Sequence, residues 1–120
     1  LPITLDWMAQ FIFQLEEQEF QTIVNPGGVM KLEKEGISFK STPKEQFFVS
    51  HLNGSGKVEA SWELLHLKSK TGVRERGSFN TQKVNLWGWK HVISPELFHF
   101  IVLEPGATHI WSRTYEFFKI

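Results

Sequence analysis

The chain has 120 residues, 41% hydrophobic and 22% charged, which is enough for one domain with a substantial core. It contains no cysteine, so disulfides, thiol nucleophiles and Cys-ligated zinc are excluded. Thirteen basic and thirteen acidic residues give no net charge, a low balance for a dedicated nucleic-acid binder. Aromatic residues are plentiful: 11 Phe, 5 Trp and 1 Tyr make up 14% of the chain, a composition that suits pleated sheets.

Leu1-Pro2-Ile3 has neither a Met nor the basic n-region of a signal peptide, which reads as a processed chain or a piece of a longer one. Next, Leu5, Met8, Ile12 and Leu15 recur at helical spacing, with Phe11 on the same face. Thr4 suits an N-cap and Asp6 the first turn, so the pattern predicts a helix over about residues 4–18. Asn25-Pro26-Gly27-Gly28 then marks a turn. Period-2 segments follow, predicting antiparallel strands near 20–24, 29–34, 36–40, 46–52, 57–67, 73–79, 83–91, 97–103 and 108–119. The expected fold is α+β and mostly β: one N-terminal helix packed on a curved antiparallel sheet, as a calycin-like barrel or a two-sheet sandwich. Residues 1–120 are expected to form a single domain.

Two hairpins have registers that can be written down. A two-residue loop at Gly54-Ser55 sets Phe47 against Trp62, Val49 against Ala60 and His51 against Val58. A turn at Pro105-Gly106 sets Phe100 against Trp111, Val102 against His109 and Ile101 against Ile110. Both faces of the second pair are apolar, which places it at a sheet centre, under the helix or against a partner.

No motif announces a reaction. Five histidines are present, but none stands in an HxH or HExxH pattern, and the two registers keep them apart. His51 and His66 lie roughly 26 Å apart along their hairpin, and His99 and His109 fall on opposite faces. Glu59 and Glu63 are about 13 Å apart along one strand, too far for a glycosidase pair. No serine stands in G-x-S-x-G, and the glycines lack the strand–loop–helix setting of a phosphate cradle. Catalytic residues, metal ligands and cofactors are therefore all expected to be absent.

Two surfaces remain. Phe47, Trp62, Phe98, Phe100 and Trp111 would line a cavity for an apolar or aromatic ligand, with basic residues at its mouth. The leading expectation is accordingly a non-catalytic binding module for such a ligand or for a protein partner. The first alternative is single-stranded nucleic-acid binding through Lys68, Lys70, Arg74, Arg76, Lys83, Trp87, Trp89 and Lys90, where cations flank stacking platforms. Charge favours that half: residues 1–67 carry nine acids and five bases (−4), residues 68–120 eight bases and four acids (+4). The second alternative is a small barrel enzyme using a His or Glu base. An exposed aromatic strand at 83–91 or 108–119 could also serve a homodimer. No apolar run approaches the ~20 residues of a membrane span. With no leader in view and no cysteine, the expected compartment is the cytoplasm.

Overall fold

The computed structural model describes residues 2–120 and contains ten strands, all paired antiparallel. They are β1 (Trp7–Phe11), β2 (Thr22–Val24), β3 (Met30–Leu32), β4 (Gly36–Phe39), β5 (Phe47–Ser50), β6 (Val58–His66), β7 (Thr71–Thr81), β8 (Lys83–Trp89), β9 (Val92–Phe98) and β10 (Arg113–Lys119). One sheet has six strands in the order β10-β7-β6-β1-β4-β3, the other four in the order β2-β5-β8-β9. Neither closes into a barrel, so of the two architectures expected, the chain adopts two sheets. No helix among the described residues is long and apolar enough to cross a membrane.

The N-terminal helix is not formed. Residues Trp7–Phe11 instead make β1, near the middle of the six-stranded sheet, and Glu17–Glu19 make only one 3-10 turn. The helical reading failed because eight of the eleven residues 5–15 are apolar, so a 3.6 period and a 2.0 period both find matches. Exposure separates the two. Leu5 and Ile12, members of the supposed helical stripe, are 67% and 59% exposed, whereas Ala9 is fully buried. Two ladders, to β4 and to β6, override the local helix preference.

The hairpin at Gly54-Ser55 is also corrected. β5 pairs with β2 and β8, and β6 with β1 and β7, so the chain changes sheets between them. Phe47, Val49, Ala60 and Trp62 all remain in the core, because strands on facing sheets need the same inward parity as a hairpin. Asn53 secures the crossing: its amide donates to Gly56 O at 2.6 Å and Gln82 O at 3.0 Å, and its Oδ1 accepts from Val84 N at 3.0 Å. β6 and β7 do form a hairpin, with a bulge between Glu59 and Ser61.

The strand expected over 97–103 begins earlier, as β9, and residues 99–112 form an arm without strand structure. The turn at its tip exists, with Ala107 N donating to Glu104 O at 3.0 Å and Gly106 at φ 82°. Its two stems cannot zip together, because β9 belongs to one sheet and β10 to the other. Phe100–Trp111, Val102–His109 and Ile101–Ile110 are therefore not strand pairs.

The core lies between the inner faces, around Ala9, Ile37, Phe39, Phe47, Val49, Trp62, Val84 and Leu86. Gly88 sits where no side chain fits: a Cβ there would stand 2.2 Å from Val92 O and 2.3 Å from Phe47 Cζ. Gly88→Ala is expected to cost about 3 kcal/mol by overpacking, read as a lowered urea midpoint with unchanged slope. A loss within experimental error would mean that Phe47 is not confined as described.

Candidate functional site

Hydrogen-bond register aligns three rows of side chains across β1, β6, β7 and β10. The first is Trp7–His66–Thr71–Lys119, the second Ala9–Leu64–Val73–Phe117, the third Phe11–Trp62–Glu75–Tyr115. All three face inward, but the four-stranded sheet covers only part of them. The second row shows the limit: Ala9 is fully buried and Phe117 is 84% exposed. Beyond the covered part lies an open groove of about 500 Å3, bordered by Trp7, Leu64, His66, Val73, Phe117 and Lys119. Trp7 packs on His66 with ring centroids 4.5 Å apart, and His66 Nδ1 lies 2.6 Å from Ser69 Oγ.

Along the third row the floor becomes polar. Glu75 is buried and accepts from Trp62 Nε1 at 2.6 Å, Arg113 Nη1 at 2.9 Å and the Tyr115 hydroxyl at 3.3 Å. With three donors on two oxygens, the carboxylate is largely satisfied within the fold. Arg113 also donates through Nη2 to Leu97 O at 2.8 Å, tying β10 to β9. A cleft of about 430 Å3 opens here, bordered by Glu75, Phe98, His99, Trp111, Arg113 and Tyr115. Partial desolvation, followed by the charge of Glu75, raises the Tyr115 phenol above its ordinary value.

The arm folds back so that His99 Nε2 lies 2.7 Å from His109 Nε2, where the sequence register had placed them on opposite faces. His99 stacks on Phe79 at 4.1 Å and packs at 5.7 Å from Trp111. Partial desolvation, then the neighbouring His109 and Arg113, hold His99 below the usual imidazole value.

The five rings expected to line one cavity do not share it. Phe47 is in the core against Phe39, and Trp62 is buried behind Glu75. Phe98 and Trp111 border the polar cleft, and Phe100 projects from the arm. The basic-aromatic segment is likewise divided. Arg74 and Arg76 occupy the outer side of the six-stranded sheet, where Arg74 is paired with Glu63 and Glu116. Lys68 and Lys70 lie in or beside the β6–β7 turn. Trp87 and Trp89 occupy the outer side of the four-stranded sheet; Trp87 Nε1 donates to Gln46 and Trp89 Nε1 to Lys44 O. Lys90 lies over Trp89 and Lys83 over Phe98. The eight side chains thus do not form one continuous surface. His51 follows β5 and His66 ends β6, in different sheets.

A larger cleft, about 560 Å3, opens by the β6 bulge among Gln10, Glu59, Ser61, Glu63 and Arg76. Its Glu63 is engaged by Arg74 at 2.9 Å, which leaves no free pair of acids there. Glu75 and Arg113, the polar centre of the inner face, were missed in the sequence. The available signal was that Glu75, the only acid among the bases of 68–91, shares parity with Val73 and Phe79.

Tyr115 is the chain's single tyrosine, so absorbance at 295 nm reads it alone. Its midpoint is expected above the ordinary value of 10.0, and Glu75→Gln should lower it. Because the folded-state value is raised, the linked stability is complete below the ordinary value and is lost as pH rises through the folded one. An unshifted midpoint in the wild type would contradict the Glu75 contact.

Comparison with protein-family models, curated proteins and solved structures gives no match to this chain, so its functional reading rests on the geometry above.

Proposed function

We propose that the chain is a non-catalytic binding module that takes an apolar or aromatic small molecule on the uncovered inner face of the six-stranded sheet. The observation supporting this is the row Leu64–Val73–Phe117, which continues the core row of Ala9 into solvent. Covering an exposed Phe is worth about 1.5–3 kcal/mol, so an apolar ligand laid on this floor gains from Phe117 alone. Lys119 and His66 border the groove and suit an acidic end group. The engagement of Glu75 by three donors fits a fixed wall better than a general base.

Two probes test the reading: neutral 1-aminoanthracene, followed by its emission, and decanoate, followed by calorimetry. Both should bind. Phe117→Asp should weaken both by about tenfold or more without lowering the thermal midpoint, while Trp87→Ala leaves them unchanged. Lys119→Ala should weaken decanoate only. Absence of binding by either probe, or indifference to Phe117→Asp, would rule the groove out.

A protein partner is the second reading, and the arm favours it. Val102 and Ile110 are 96% and 88% exposed, with Phe100, Ile101, Leu103 and Trp111 beside them. At ~200 Å2 for a fully exposed large side chain, these six leave on the order of 750 Å2 open, close to one side of a standard interface. The partner proposed is a second copy, since residues 99–103 and 108–112 have strand-like sequence but no strand partner among the described residues. Light scattering over a range of concentrations should show a dimer that Val102→Asp with Ile110→Asp converts to monomer. A wild-type monomer at the highest concentration would refute this.

A further inference from the structure

We propose that two copies of this chain pair edge to edge along β10, antiparallel and centred on Phe117, so that the apolar floor of the groove is shared by both. This pairing rests on the second-copy reading of the arm and names the strand that sets the register of that dimer.

Four strands form the edges of the two sheets, and three of them are blunted. β2 and β3 are only three residues long, and β9 carries Pro95, which has no N–H to offer a neighbour. β10 has none of these devices. Its seven residues pair with β7 without a bulge, no proline interrupts them, and all but Phe118 are exposed. The bonding pattern fixes which main-chain groups are free. Ser112 O accepts from Ser78 N and Ile120 N donates to Lys70 O, so the even-numbered residues turn their main chain toward β7. Arg113, Tyr115, Phe117 and Lys119 turn theirs outward, and among the described residues these N–H and C=O groups have no hydrogen-bond partner.

Charge selects the register. A two-fold pair that uses at least five residues of β10 is centred on Tyr115, Glu116 or Phe117. Centred on Glu116, it sets Glu116 against its own copy and Arg113 against Lys119, both like-charge contacts. Centred on Tyr115, it sets Arg113 against Phe117, but Arg113 is already held by Glu75 and Leu97 O. Centred on Phe117, it opposes Phe117 to Phe117, Lys119 to Tyr115 and Glu116 to Phe118, with no like charges facing. Arg74 lies over Phe118 at 4.5 Å, so Glu116 of one copy approaches the guanidinium of the other. Two rings meet at the axis, and Lys119 lies beside a phenol ring. In this register the row Ala9–Leu64–Val73–Phe117 runs directly into its copy, and the floor continues across the axis. Tyr115 and Phe117, 57% and 84% exposed, bring roughly 280 Å2 per copy. Added to the open area of the arm, that passes the ~800 Å2 a side of a standard interface.

The test uses the full chain, whose lack of cysteine makes each introduced thiol the only one. Opposed Cα atoms in a hydrogen-bonded antiparallel pair stand about 5.5 Å apart, within the reach of a disulfide. Phe117→Cys is expected to form a covalent dimer under mild oxidation at least ~10-fold faster than Tyr115→Cys or Lys119→Cys, which do not face their own copies. Tyr115→Pro removes an outward N–H and no bond to β7. It should raise the dimer dissociation constant at least ~10-fold by light scattering, with the wild-type circular dichroism retained, while Tyr115→Phe remains dimeric. If Tyr115→Pro does not fold, the thiol series decides. Equal crosslinking at the three positions, or fastest crosslinking at Tyr115→Cys, would overturn the register. A dimer broken by Val102→Asp with Ile110→Asp but not by Tyr115→Pro would overturn the edge pairing and leave the arm reading intact. A wild-type monomer would remove both.

Discussion

Two sheets of unequal width share one inner face, and the rest of the molecule follows from that mismatch. Six strands look inward on one side and four on the other, so β7 and β10 extend past their cover. Backbone register does not know where the cover ends. The same alternation that buries Ala9 carries Leu64, Val73 and Phe117 inward along the row, whether or not a second sheet stands over them. An apolar floor open to solvent is therefore built into the ladder itself. Its cost in solvated apolar area is tolerable because the covered half, around Phe39, Phe47, Val49 and Leu86, forms a continuous core.

The polar centre shows how the overhang stays ordered without a facing sheet. A carboxylate at Glu75 would be expensive to bury alone, since an unpaired buried charge costs several kcal/mol. Trp62 below it, Arg113 beside it and Tyr115 above supply three donors from β6 and β10. Arg113 is partly exposed, so its attraction is screened, and the arrangement works more by fixing geometry than by net Coulomb energy. Ionised, Glu75 holds the side chains of two neighbouring strands in one orientation. Through Arg113 it also reaches the Leu97 carbonyl near the end of β9.

The β alternation was legible in the sequence, because β3 to β8 follow period-2 runs between turn residues. The partnerships were not. Phe47 and Trp62 have the same inward parity whether they face each other across a hairpin or across a sandwich, and nothing local distinguishes the cases. The N-terminal strand was hidden for a related reason: with Trp7, Met8, Phe11, Ile12 and Phe13 so close together, apolar periodicity carries little information. The His99–His109 meeting was illegible in another way. It depends on the arm failing to become a hairpin, and that failure originates in the assignment of β9 and β10 to different sheets, a property of the whole topology. The charge asymmetry, by contrast, was visible in the sequence, but the structure distributes those bases over opposite sides of the molecule.

The two seams between the sheets are built differently, and the difference locates the candidate sites. On one side β2 leads into β3 through a short turn, where the Asn25 side chain both donates to Met30 O at 2.9 Å and accepts from Met30 N at 2.8 Å. Lys40 N donates to Val29 O at 2.9 Å, which prolongs the β3–β4 ladder of the six-stranded sheet at that edge. On the other side β9 leads into β10 through the 14 residues of 99–112, and no strand ladder joins the two edges. A side-chain bond stands in for it, from Arg113 Nη2 to Leu97 O. Had β9 and β10 zipped together, the sheets would approach closure, the groove beside Phe117 would narrow and the arm would become an ordinary hairpin. Because they do not, the floor of Leu64, Val73 and Phe117, the Glu75 centre and the histidine pair all lie along one open seam. That seam, more than any single residue type, distinguishes this molecule from a sandwich whose inner faces serve only as core.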